Sequence, residues 1–87
     1  MRKLLLVSLA LVSPLTFAKT ECTTADKATW QDQAKFQEDL KAQGYDIKKF
    51  KVTAGNCYEI YGQDSAGKRI EVYFHPISGK VVEEHKS

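Results

Sequence analysis

The chain has 87 residues and two cysteines, enough for one domain near the lower size limit at which a hydrophobic core holds a fold unaided. Its formal charge of +2 comes wholly from Arg2 and Lys3. The acids and bases that follow are balanced and interspersed, which excludes the long-range field of a nucleic-acid or anionic-membrane binder.

Residues 1–18 have the form of a secretory signal peptide: Arg2 and Lys3, an apolar run over residues 4–12, and the small-residue site Thr16-Phe17-Ala18. Pro14 interrupts the apolar stretch, which falls short of the roughly 20 residues that span a bilayer, so no stable membrane insertion is expected after cleavage. Cys22 follows Lys19-Thr20-Glu21 rather than the residues that precede a lipidated cysteine, and no twin-arginine pair is present. Residues 19–87 are therefore expected to form a single domain exported by the general secretory route. Export makes Cys22 and Cys57 an expected disulfide. A loop of that length is worth about 3.5 to 4 kcal/mol in the chain-entropy model.

Residues 25–43 hold good helix formers without Gly or Pro, and Thr23-Thr24-Ala25-Asp26 and Thr29-Trp30-Gln31-Asp32 each offer a capping start. One helix is predicted there, with Trp30, Ala34, Phe36 and Leu40 on the apolar arc. Gly44 should end it in a left-handed conformation, with Tyr45 folding back on Leu40 in a Schellman arrangement.

Beyond Gly44 the pattern changes to short β-rich runs at residues 45–52, 57–61, 68–74 and 80–83. Thr53-Ala54-Gly55-Asn56, Asp64-Ser65-Ala66-Gly67 and Pro76-Ile77-Ser78-Gly79 supply hairpin-length turns between them. The expected class is α+β: one N-terminal helix packed on an antiparallel meander of three to four strands. The helix rise and the first strand's return bring Cys57 back beside Cys22. Strand parity, however, puts Cys57 on the face of Glu59 and Tyr61, opposite the core pair Tyr58 and Ile60, so a bulge near Asn56 or a bridge around the sheet edge is expected.

Ile70, Val72 and Phe74 alternate with Arg69, Glu71 and Tyr73, which predicts one covered and one wet sheet face. Glu59, Tyr61, Arg69, Glu71 and Tyr73 on the wet face are the partner-binding candidates, since aromatics and Arg anchor protein interfaces. Arg69 and the lysines are the expected neighbours of both glutamates.

No catalytic constellation is present. His75, before Pro76, and His85, near the end of the chain, lie too far apart along the expected hairpin to act together. With both cysteines oxidised, thiolate ligation is excluded, and neither a metal site nor a cofactor is expected. Asp64-Ser65-Ala66-Gly67 lacks the further acidic positions of a calcium loop and reads as a turn.

Gly44-Tyr45-Asp46-Ile47, Cys57-Tyr58-Glu59-Ile60-Tyr61-Gly62, Asp64, Gly67-Lys68-Arg69-Ile70-Glu71-Val72, Pro76 and Ser78-Gly79-Lys80-Val81-Val82 together resemble a PepSY domain of the short secreted bacterial type. The order of these parts is more specific than any one of them. The family pattern usually has Asp before the proline, where this chain has His75.

The resemblance implies a helix plus antiparallel sheet, no catalytic residues and a role like that of propeptides that hold thermolysin-type metallopeptidases inactive, and export by the general secretory route makes the periplasm the expected location. The leading expectation is thus a non-enzymatic binding or regulatory module, with a peptidase or envelope protein as partner. The alternative from another class is a small-ligand or metal-binding protein of the cell envelope using His75, His85 and the acidic final strand.

Overall fold

A computed structural model describes residues 19–87, so the expected signal peptide lies outside the described residues. A short 3-10 helix at Lys27–Thr29 precedes an α-helix, α1, at Gln33–Ala42. Four strands follow: β1 (Asp46–Val52), β2 (Tyr58–Gln63), β3 (Arg69–Phe74) and β4 (Val81–Lys86). They pair antiparallel in the order β1-β2-β3-β4, an α+β arrangement with its helices N-terminal to the sheet.

The single helix expected over residues 25–43 is instead broken in two, because both capping signals are used. Asp26 accepts a hydrogen bond from the Ala28 N–H and starts the 3-10 turn, and Asp32 accepts from the Lys35 N–H and starts α1. Between them Trp30 is extended. That break frees the Gln31 N–H to donate to the Pro76 carbonyl and its side-chain amide to donate to Ile77, tying the helical segment to the β3–β4 turn. Trp30 therefore leaves the helix yet still packs against the core cluster, whereas Ala34, within α1, does not. Ala34 is exposed, and Phe36 and Leu40 are the residues of α1 that are buried.

The end of α1 follows the sequence closely. Tyr45 N–H donates to the Leu40 carbonyl and Gly44 N–H to the Lys41 carbonyl, the two bonds of a Schellman cap. Gly44 has φ +105°, and a Cβ there would lie 3.0 Å from Cβ of Ser65, so both backbone conformation and space call for glycine.

Phe36 and Leu40 share one core cluster with Tyr58, Ile60, Ile70, Val72 and Phe74. The Phe36 ring lies 5.0 Å from Tyr58 and 5.2 Å from Phe74, and Phe50 packs 5.2 Å from Tyr58. A register shift in β1 between Ile47 and Lys49 lets Ile47 and Phe50, three residues apart, both pack against this cluster. Tyr58 is bound at its polar end as well, its hydroxyl donating to the Gln31 carbonyl. At the far edge Val81 and Val82 are 50 % and 44 % exposed, outside the core cluster.

Strand β4 is longer than the predicted residues 80–83 and carries His85 and Lys86 into the sheet. Its register with β3 shifts between Tyr73 and Phe74, leaving Val82 as the extra residue. The preceding turn uses His75 in an unexpected way. Its Nδ1 accepts from the Ile77 and Ser78 N–H groups at 3.2 and 3.3 Å, the task an Asp carboxylate performs in such turns.

Candidate functional site

The candidate site is the sheet face turned away from Phe36 and Leu40. Cross-strand pairing assembles it from residues that alternate with the core. Lys51 stands opposite Glu59, Glu59 opposite Tyr73 and Tyr73 opposite Glu83. The next row is Lys49, Tyr61, Glu71 and His85. Gln63 and Arg69 pair beyond it.

All five partner-binding candidates from the sequence thus share this face. Tyr61, Arg69 and Glu71 line an open depression of about 460 Å³, together with Lys48 and His85. Arg69 is exposed there and faces Gln63. It is not the neighbour of Glu59 that the sequence suggested.

Glu59 is instead 1 % exposed, and its Oε2 has no hydrogen-bond partner among the described residues. Lys51 Nζ approaches the other oxygen, Oε1, at 3.8 Å. Burial first, then the nearby Glu71 carboxyl, raises the Glu59 pKa. Glu71 shifts the other way, below the usual carboxylate range, through that same contact with Glu59.

Two tyrosines complete the cluster. The Tyr73 hydroxyl donates to Glu71 Oε2 at 3.0 Å, and burial followed by that bond raises the Tyr73 pKa. Contact with the Glu59 carboxyl, and next with that of Glu71, pushes Tyr61 up to about 12. Of the two phenols, Tyr73 donates to an acid of the cluster, while the Tyr61 ring lies exposed beside it.

The disulfide is present, with the Cα atoms of Cys22 and Cys57 5.2 Å apart. Parity is satisfied without a bulge in β2, because the chain ahead of the helices reaches this same outer face. Cys22 N–H donates to the Gly55 carbonyl, and the Thr20 hydroxyl donates to the Glu83 carboxylate. Lys19 and Thr20 line a second depression, of about 310 Å³, with Lys51, Glu59 and Tyr73. A Cβ on Gly55 would fall 2.0 Å from the Thr20 carbonyl oxygen, so only glycine admits this crossing.

Thr20, Lys51, Glu83 and His85 are members of the face that sequence reasoning missed. Glu83 accepts from Thr20 and contacts His85 Nε2 at 2.6 Å, and these two interactions, in that order, lower its pKa. Counting β4 back from the Pro76–Gly79 turn would have found Glu83 and His85 only with the Val82 bulge allowed for. His75 stays in its turn, away from this row, so the two histidines do not meet. Among the described residues no three His, Cys, Asp or Glu side chains stand together as a metal site, and no helix is long and apolar enough to cross a membrane.

Neither a curated protein nor a solved structure matches the chain. A family model described as the peptidase propeptide and YPEB domain matches residues 2–85. With nearly the whole chain covered, the protein belongs to the PepSY family.

Proposed function

We propose that this protein is a non-enzymatic, extracytoplasmic binding module that engages a protein partner through its outer sheet face. Inhibition of a peptidase is the sharpest form of that reading, suggested by the family's description as a peptidase propeptide. Residues 1–18 act as a signal peptide removed on export, and an oxidising periplasm suits the Cys22–Cys57 bridge.

The observation that carries the reading is the depression beside Tyr61, which is 37 % exposed although the same strand buries its neighbours. An aromatic side chain with Arg69 beside it on a rigid strand pair is the composition of an interface anchor. The paired strands fix the backbone that carries them, so docking orders side chains alone and no loop.

The test is a crosslinking pull-down from periplasmic and membrane extract, with the oxidised protein as bait and a reduced, unfolded sample as control. A captured protein that is released by Tyr61→Ala and Arg69→Ala supports the outer face. If the captured protein is a peptidase, titration should inhibit it at one-to-one stoichiometry. Capture that survives both substitutions, or an absence of any stoichiometric partner, rejects the proposal.

A further inference from the structure

We propose that Glu59 and Glu71 form a carboxyl–carboxylate pair holding a single proton, and that gain or loss of this proton switches the outer face between two charge states. The register makes them diagonal neighbours, since Glu59 lies opposite Tyr73 and Glu71 opposite Tyr61 on the same face of β2 and β3. Glu59 Oε2 is buried and, among the described residues, without a partner, which is costly for a carboxylate oxygen. A proton on that oxygen turns it into a donor, and Glu71 supplies the acceptor.

The surrounding groups favour that placement of the proton. On the β1 side Lys51 reaches Glu59 Oε1, not Oε2, and Lys49 sits over the Tyr61 ring, 5.9 Å from its centroid. From β3 Tyr73 donates to Glu71, strengthening Glu71 as the ionised member. From β4 His85 lies opposite Glu71, and Glu83 is engaged by His85 and by Thr20 of the N-terminal segment. Lys19 lines the mouth of the depression on the Glu59 side. The opposite displacements of the two acids agree with one shared proton.

The sign follows from each acid separately. Glu59 holds its proton more tightly in the folded chain, so its stabilisation is present below the ordinary carboxylate range and is lost as pH rises through the raised value. Glu71 stabilises the fold above the ordinary range, and that contribution is lost as pH falls through its lowered value. Between the two lies the one-proton form. Above it the proton passes to solvent, leaving two carboxylates that repel each other beside Tyr61 and Tyr73.

The consequence for a partner, a pH-dependent docking face, rests on the binding reading above. The proton itself does not, and it is measured in the free protein. Carboxyl-detected NMR titration of the oxidised protein, labelled at Glu side chains, should find one carboxyl titrating above and one below the ordinary range. Tyr61 and Tyr73 ring resonances should move with the upper midpoint. Thermal melts across the same pH series should show Tm falling by several degrees through that midpoint in the wild type and in His85→Gln, which removes the imidazole proton from the profile. In Glu59→Gln the amide donates to Glu71 permanently, so the fall and the tyrosine shifts should vanish. Two ordinary carboxyl titrations in the wild type would overturn the pair even if Glu59→Gln fails to fold. An unchanged Tm profile in a folded Glu59→Gln protein would overturn it as well.

Discussion

Ile60 and Glu59 are neighbours in β2, 0 % and 1 % exposed, yet they are hidden by different kinds of partner. Ile60 joins the cluster of Phe36, Leu40, Tyr58, Val72 and Phe74 on one face, where apolar contact holds it. Glu59, on the other face, is covered by tyrosines, a lysine and a second carboxyl, whose hold on it depends on protons. One pair of strands thus carries a pH-independent core and a pH-sensitive surface back to back. Burial alone does not say what a residue contributes. The chemistry of whatever covers it does.

The comparison is broken most severely at its apolar side. Phe36→Ala should cost about 3 to 5 kcal/mol, measured by urea unfolding, with nearly the same loss at acidic and neutral pH. A loss that varied strongly with pH would mean that the inner face is not the purely apolar one. Replacing both Cys22 and Cys57 by Ser should cost about 3.5 to 4 kcal/mol. It should also loosen the Thr20 contact with Glu83, seen as a changed Glu83 titration, because the bridge anchors the N-terminal segment to the outer face.

Smaller changes sharpen the contrast. Tyr73→Phe removes the bond donated to Glu71 and should lower stability by about 1 kcal/mol, or roughly 4 to 8 °C in Tm. Because the lost bond favours the ionised acid, the Glu71 titration should move up toward the ordinary range, and the deficit should shrink at low pH where the wild-type carboxylate is protonated too. Ile60→Val, in the adjacent position but facing inward, should cost about 0.5 to 1.5 kcal/mol with no such pH dependence. Least of all, Tyr61→Ala should leave the melting curve almost in place while abolishing partner capture, since its ring lies at the rim of the depression. A large loss of stability there would move Tyr61 from binding to structure.

What the sequence revealed was mostly local. The Schellman end at Gly44-Tyr45 depends on residues within one helical turn and was legible, as were the three hairpin turns and the alternation of Ile70, Val72 and Phe74. The break between Lys27–Thr29 and α1 was not. Two good caps lay in one helix-forming stretch, and what separates them is a contact between Gln31 and Pro76 far along the chain. The five outer-face candidates were found by parity, but their relations were not. Whether Glu59 meets Arg69 or Glu71 is decided by strand register, and a two-residue shift exchanges such partners while leaving the inward and outward alternation unchanged. The approach of Thr20 to Glu83 spans most of the domain and leaves no periodic trace.

The strand order β1-β2-β3-β4 has a kinetic meaning. Each strand pairs with the one made just before it, so the sheet assembles from short loop closures and contacts of low sequence separation, the kind that fold fast. The Cys22–Cys57 link, 35 residues apart, is not needed to bring any two strands together. An unfolded, reduced chain would therefore zip its meander first, and the N-terminal segment that carries Cys22 would be oxidised onto it afterwards. The bridge then acts less as a guide to the fold than as a latch closed on it.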